Sequence, residues 1–429
     1  MQTNLADFIR NTPEGREADA ILRTCVHCGF CLSTCPTYLL LGDELDSPRG
    51  RIYLIKQVLE GAPATEKTRL HLDRCLTCRA CETTCPSGVR YGHLVDIGRA
   101  VVERQVGRHG LDAVLRNALR KLLPSRAFKP LLRVGQTFKS LAPAALRESI
   151  PPSPREARPW PAARHTRRML VLDGCVQPAI APNINAALAR VLDRLGISLL
   201  RSRGAGCCGA VAYHLNDHDV GLEQARRNID AWWPQLHQGT EAVIVTASAC
   251  AAQVKEYGHL LRNDPAYAEK AERISGIARD PSEVLRAEQE KLQSLFALQE
   301  GPAKLPPRRL AFHSPCTLQH ALKIRGAVES VLELAGFELT PVPDAHLCCG
   351  SAGTYSVLQP ELSRQLLRNK VSALESGRPE LIATANIGCL VHIQGGTALP
   401  VRHWIEVLDR ALEDPGVRTG EAGLIDELA

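Results

Sequence analysis

Residues 25–36, CVHCGFCLSTCP, and residues 75–86, CLTCRACETTCP, carry one spacing twice: C-x2-C-x2-C-x3-C-P. Two-residue gaps let three successive sulfurs wrap one face of a compact centre. This is the thiolate run that holds [4Fe–4S] clusters. Thiolates are soft, anionic donors that suit iron–sulfur chemistry. A pair of zinc knuckles also supplies four ligands per ion, but this spacing, twice, is not the usual zinc arrangement. The remaining cysteines form two more sets, each built on Cys-Cys-Gly: Cys175, Cys207, Cys208, Cys250, and Cys316, Cys348, Cys349, Cys389. All sixteen cysteines therefore fall into four sets of four.

In proteins with two such runs, the fourth cysteine of each serves the other cluster. On that rule one cluster takes Cys25, Cys28, Cys31 and Cys85, and the other takes Cys75, Cys78, Cys81 and Cys35. Between the runs lies DSPRGRIYLIKQVLEG, residues 46–61. Ser47 is a good N-cap, Pro48 fits the first helical position, and Ile52, Ile55 and Leu59 recur at helical spacing before Gly61. An α-helical ferredoxin-type domain over residues 1–100 is expected.

Outside that domain the chain is duplicated. Thirty-one residues separate Cys175 from Cys207, and thirty-one separate Cys316 from Cys348. MLVLDGC at 169–175 matches LAFHSPC at 310–316, and EAVIVTASAC at 241–250 matches ELIATANIGC at 380–389. Each half reads as β-α-β-loop-α-β, an α/β pattern. Functional groups in such sheets gather beyond the carboxyl ends of the strands, where each quartet can converge. The expected repeats span 169–290 and 308–412, joined to the first domain by a connector over 101–168. The fold class is thus α+β multidomain, an α-helical ferredoxin domain followed by two α/β Cys-Cys-Gly repeats.

Each Cys-Cys-Gly quartet has enough sulfur for a further iron–sulfur cluster, a zinc ion or redox thiols. A vicinal disulfide is disfavoured, because consecutive Cα atoms lie about 3.8 Å apart and disulfides want roughly 4.4–6.8 Å. Two thiolates aimed at one metal, with glycine permitting close approach, fit better. Gly204–Gly209 also satisfies G-x-G-x-x-G. The second copy keeps only the Cys-Cys-Gly, so dinucleotide binding is not expected. His27 stands inside the first run and can tune a cluster by hydrogen bonding, with an exposed loop residue as the plain alternative. His313, His320 and His346 lack counterparts in the first repeat and read as structural.

The connector is basic over 104–147, with ten Lys or Arg. LDAVLRNALRKLL and FKPLLRVGQTFKSL are both amphipathic. Such stretches can lie on an anionic membrane surface. The simpler expectation is that they pack on their own domain with a solvated basic face. PPSPREARPWPAARHTRR, residues 151–168, reads as a linker. The net charge of +6 over 429 residues is mild. No apolar stretch opens the chain and no run is long enough to span a membrane. With clustered thiols and no secretory signal expected, the reading is a reducing cytosol.

Two ferredoxin runs followed by two Cys-Cys-Gly repeats resemble a known family. It comprises the iron–sulfur subunits of membrane-associated dehydrogenases together with the thiol–disulfide subunits of heterodisulfide reductase. The chain is most similar to the bacterial glycolate oxidase iron–sulfur subunits. CVHCGFCLSTCPTYLLLGDELDSPRGRIYLIKQVLEG, HLDRCLTCRACETTCPSGVRYG, GCCGAVAYHLN, HLCCGSAGTY, TANIGC and VRHWIEVLD carry the likeness. The resemblance implies glycolate oxidation to glyoxylate on partner subunits that carry FAD. This chain would relay the electrons towards the quinone pool from the cytoplasmic face of the inner membrane, where its complex holds it. Heterodisulfide reductase relatives end a Cys-Cys-Gly repeat in C-x2-C, and here Ala247 and Asn386 replace the first of those cysteines. That departure puts their non-cubane cluster in doubt for this chain.

Lactate or glycerol 3-phosphate as the substrate, and a stand-alone disulfide reductase, are the competing readings. Nucleic-acid binding is not expected, since only the basic connector speaks for it.

Overall fold

The structure, a computed structural model, describes residues 1–141, 151–154, 156–298 and 308–413. The first domain is helical, as the sequence leads one to expect. Helix Pro13–Thr24, capped by Thr12, delivers the chain into Cys25. Helix Pro48–Leu59 starts where expected, with the Ser47 hydroxyl accepting from Gly50 N, and Gly61 follows at φ +103°. Helix Glu66–Asp73, opened by a Thr65/Thr68 capping box, leads into Cys75. Helix Tyr91–Val106 closes the domain, and Leu22, Ile55, Leu59 and Leu94 fill its core.

The duplicated part contains two four-stranded parallel sheets of identical topology. In the first, β1 (Arg167–Val171) lies between β2 (Ile197–Arg201) and β3 (Val243–Ile244), and β4 (Ala278–Arg279) is the far edge. In the second, β5 (Arg309–His313) lies between β6 (Glu338–Leu339) and β7 (Leu381–Thr384), with β8 (Val401–His403) at the edge. β1 and β2 run in register from Arg167–Ile197 to Val171–Arg201. The three-strand expectation for each repeat misses β4 and β8. Strands of two or three residues show no periodicity in a sequence.

The repeats are not separate globules. Helix Asn183–Arg194 of the first packs on helix Trp404–Glu413, which ends the second. In return helix Pro281–Ala287, which follows β4 in the first, packs on helix Ala327–Leu334 of the second. Leu188, Ile197, Leu310, Phe312 and Trp404 share one core. Arg190 and Asp409 seal it with an ion pair of 2.6 Å. Burying both charges is tolerable only because each is well bonded. The segment before β1 is extended, yet it is pinned: Trp160 Nε1 donates to Leu199 O at 3.1 Å, and the Arg201 guanidinium lies 4.2 Å above the indole.

The connector forms helices Gly110–Leu122 and Phe128–Thr137. The simpler expectation is met only in part, since helix Gly110–Leu122 packs on its own domain but not by its apolar side. Helix Gly110–Leu122 is held by its charged side: buried Arg116 meets Asp73 at 3.1 Å, and Arg120 donates to Leu215 O at 3.4 Å. Its apolar stripe therefore faces outward, with Leu111 87% exposed and Val114 66%. Leu131, Val134 and Phe138 are likewise exposed. Among the described residues, no helix is long and apolar enough to cross a membrane.

Candidate metal centres

The two ferredoxin-type loops share an unusual backbone. His27 (φ +57°) and Gly29 (φ +86°) flank Cys28, and Thr77 (φ +52°) and Arg79 (φ +60°) flank Cys78. Left-handed conformations at non-glycine residues are costly, and they gather where the fold needs a particular backbone direction. Here they turn three sulfurs inward. They also aim backbone N–H groups at sulfur: Thr77 N donates to Cys75 Sγ at 3.4 Å, and His27 N donates to Cys25. Cys25, Cys28, Cys31 and Cys85 line one hollow together with Cys81 of the second loop, and Pro48, Pro86 and Tyr91 close it. Cys75, Cys78, Cys81 and Cys35 lie close enough to act on one another's ionisation. Burial pushes the Cys31 thiol up to about 11, and it pushes Cys78 and Cys81 well above the ordinary thiol range. Neighbouring sulfurs add to this by like-charge repulsion. Four thiolates become tolerable there once a cationic centre sits among them, so the donor set fits a thiolate-held cluster.

The sequence reading passed over Arg51, which is fully buried beneath the second loop. Its guanidinium donates to His71 O at 2.7 Å and Thr37 Oγ1 at 3.1 Å, pairs with Asp46 at 3.2 Å, and approaches Cys35 Sγ at 3.9 Å. Tyr91 OH points at Cys75 Sγ from 3.6 Å. A fixed positive charge and a hydroxyl beside ligand sulfurs are the groups that set a cluster's potential. Only the spacing of Arg51 three residues after Pro48 could have hinted that it faces the core.

Both Cys-Cys-Gly quartets converge. Sulfur-to-sulfur hydrogen bonds run Cys175–Cys207–Cys208–Cys250 in the first. The second repeats the order as Cys316–Cys348–Cys349–Cys389, with 3.8 Å between the Cys316 and Cys348 sulfurs. Cys207 is drawn well below the ordinary thiol range, because the Cys175 and Cys208 thiols both donate to it and Gly209 N adds a third bond. All sixteen cysteines are free of disulfides. The glycine of each motif has a steric reason. Gly209 (φ +95°) and Gly350 (φ +90°) press against Gly221 O and Ser363 O, so that a methyl group would stand 2.6 and 2.7 Å from those oxygens. In the G-x-G-x-x-G segment, the last glycine caps helix Ala210–His214 and the two sulfurs before it turn into the quartet.

The histidines divide. His320 Nε2 donates to His346 O at 2.9 Å, which leaves Nδ1 to accept from the Thr83 hydroxyl at 3.0 Å. It is a strut between the second repeat and the ferredoxin-type domain. The Nε2 of His27 is buried without a partner. The Nε2 of His313 is also buried without a partner, and a ring nitrogen of this residue lies within 4.8 Å of the Cys349 and Cys389 sulfurs.

The three bodies border an open cleft of about 730 Å³, which Cys75, Arg79, Tyr213, Cys316 and Tyr355 help to line. Leu76, Cys78, Cys316, Cys348 and Tyr355 share one apolar cluster, and Tyr355 OH donates to Arg74 O at 3.1 Å. The second quartet therefore abuts the second ferredoxin-type loop.

An ionic clamp ties the first repeat to the same domain. His93 bridges Glu17 (2.9 Å) and Glu256 (3.1 Å), and its ring stacks on His259 at 4.1 Å. Arg262 pairs with Glu17, and Arg79 pairs with Glu256. Desolvation pulls His93 down, but the bonds from Glu17 and Glu256 outweigh it and the net shift is upward, despite Arg90 nearby. Burial lifts Glu17 and Glu256, yet their histidine partners and, for Glu256, Arg79 hold both well below the usual carboxylate range. A raised histidine contributes stability fully below its ordinary value of 6.5 and loses it as pH rises through the folded value. The lowered carboxylates contribute above their ordinary 4.5 and lose it on acidification. The clamp is thus strongest between pH 4.5 and 6.5. The Tm gap between wild type and His93→Gln is expected to be widest in that window and to narrow towards pH 9. A gap that stays flat with pH would show that His93 is not charged in the clamp.

Comparisons with known proteins agree with this architecture. A family model described as a 4Fe-4S dicluster domain matches residues 21–89, and one described as a cysteine-rich domain matches 169–255 and again 310–394. The glycolate oxidase iron-sulfur subunit of Escherichia coli (strain K12) is 56% identical over 414 residues, covering 96% of this chain and 100% of that protein. This chain belongs to the glycolate oxidase iron–sulfur subunit family. A probable glycolate oxidase iron-sulfur subunit of Bacillus subtilis (strain 168) is 32% identical, over 90% of this chain and 92% of its own length. Lactate utilization protein A of Bacillus licheniformis is 29% identical over only 55% of this chain. As a member of the family, the chain is an iron–sulfur electron-transfer subunit of an oxidoreductase.

Proposed function

We propose that this chain takes electrons from FAD-carrying partner subunits that oxidise glycolate to glyoxylate, and passes them towards quinone. The contiguity of cysteine sets carries this reading. Cys85 crosses to the first loop, Cys35 crosses to the second, and Cys78 of that loop shares an apolar cluster with Cys316 and Cys348. Bound there, [4Fe–4S] clusters supply one-electron carriers. We assign Cys25, Cys28, Cys31 and Cys85 to one cluster and Cys75, Cys78, Cys81 and Cys35 to the other. The two Cys-Cys-Gly quartets hold further metal. The chain's own residues exclude water, fix the sulfurs and place Arg51 and Tyr91 against them. Near-complete coverage by a glycolate oxidase subunit, against about half by a lactate utilization protein, favours glycolate as the fuel.

A peripheral place on an anionic membrane face is supported by the connector. Lys121, Arg126, Lys129 and Arg133 are exposed around its outward apolar stripes, the arrangement of an interfacial helix.

Iron, sulfide and zinc per chain after anaerobic purification, with EPR of the reduced protein, test the assignment. About eight irons are expected from the two loops alone, and about twelve or more if a quartet carries a cluster. Zinc above background would place itself in the quartets. Fewer than about four irons, with no cluster signal on reduction, would remove the relay.

A further inference from the structure

The two quartets are alike in sulfur and unlike in what stands behind it. At the end of β1 the first repeat has Leu172, which is 2% exposed. The equivalent residue of the second repeat is His313, also 2% exposed, at the end of β5. Its Nδ1 lies 3.0 Å from Thr384 Oγ1, on the adjoining strand β7. Its Nε2 is sealed from solvent and makes no hydrogen bond. A ring nitrogen of His313 and the sulfurs of Cys349 and Cys389 all lie within 4.8 Å of one another. A buried imidazole nitrogen left without a partner is costly and calls for an explanation.

We infer that His313 Nε2 is a ligand of the metal held by the second quartet, so that this centre is a mixed nitrogen–sulfur site while the first is all sulfur. The inference rests on the proposed metal occupancy of the quartets. Three observations fit it. With Nδ1–H donating to Thr384 Oγ1, Nε2 carries the lone pair, the tautomer that a ligating histidine adopts. The hydroxyl stands where such an orienting partner belongs. Metal–nitrogen bonds of about 2.0–2.1 Å and metal–sulfur bonds of about 2.3 Å place donor atoms within the separation seen here. Imidazole and thiolate together suit iron or zinc, and exchanging thiolate for imidazole on an iron–sulfur centre raises its potential. Among the second quartet's neighbours, Asn386 Nδ2 already donates to Cys389 Sγ at 3.4 Å, so this sulfur has a hydrogen-bond donor without His313.

The test uses the full chain, with Cys208→Ser to silence the first repeat and leave the second quartet as the only site beyond the two loops. Histidine labelled with ¹⁵N and pulsed EPR of the reduced protein read nitrogen coupling to an iron centre directly. X-ray absorption at the zinc edge does the same for zinc. The expected result is one imidazole nitrogen bound at the second quartet, lost in His313→Leu together with at least a tenfold drop in that site's metal. Leucine is the first repeat's own residue at this place, so the fold should accept it. A metal-loaded second quartet with sulfur ligands only, unchanged in His313→Leu, would overturn the inference and leave the proposed function standing. No metal in the second quartet of the Cys208→Ser protein would instead overturn the occupancy on which the inference rests, and the inference with it.

Discussion

On the proposed function, Cys28→Ser is expected to remove about four irons per chain and to abolish quinone-linked glycolate oxidation by the assembled complex, while dye-linked oxidation by the proposed flavin-carrying partner continues. The effect is large because oxygen is a poor substitute for a soft thiolate on iron. It is also cleanly attributable. Cys28 is exposed and makes no part of the apolar core, so replacing sulfur with oxygen leaves packing intact. The left-handed residues on either side, His27 and Gly29, belong to the backbone and persist in the variant. What is lost is one donor in the hollow that Cys25, Cys31 and Cys85 also line. Iron analysis and the two assays, run on one preparation, check the result. Undiminished iron with full quinone-linked turnover would refute the relay assignment.

Gly350→Ala is the second large effect, and here the backbone is the target. At φ +90° an alanine is strained, and its methyl would stand 2.7 Å from Ser363 O and 2.9 Å from Leu366 Cβ. Strain and overlap together cost on the order of 3 kcal/mol. In a body of this size that lowers Tm by about 5–10 °C. The second quartet should also lose its metal, because Gly350 N donates to Cys348 Sγ at 3.5 Å and any shift that relieves the clash moves Cys348 and Cys349. Gly353→Ala is the control. It too has a positive φ, +64°, but nothing lies within 4 Å of its added methyl, so only the strain remains. Thermal melts and metal analysis of the two variants separate the cases. Equal behaviour would mean that the close approach at Gly350 does not hold the quartet.

Several features were legible because they are local. The spacing around Cys28 and Cys78 dictates loops that wrap one centre, and Ser47-Pro48 dictates where the following helix starts. The repeat from Cys175 to Cys250 and from Cys316 to Cys389 revealed the duplication, since an identical first gap and a nearly equal second one, between matching segments, imply the same fold. What lay beyond reach has a physical cause in each case. β4 and β8 are too short to carry a period. Arg51 looks like any charged residue of an amphipathic helix until Asp46 and Cys35 are found beside it. The connector's amphipathic pattern said that one face is apolar. It could not say which face is held, and the Arg116–Asp73 pair decides that the apolar one points outward.

The sequence by itself determined the chemistry: four thiolate sets, their ligand spacing, a helical first domain and two α/β repeats. Those properties depend on neighbours a few residues apart, or on comparing one stretch with another. Only the tertiary structure decided which sets stand together. It packs Cys78 with Cys316, exchanges the helices that follow the edge strands of the two repeats, clamps His93 between Glu17 and Glu256, and brings the ring of His313 beside Cys349 and Cys389. Contacts between residues tens to hundreds of positions apart follow from how whole elements bury their faces, and no local pattern encodes them.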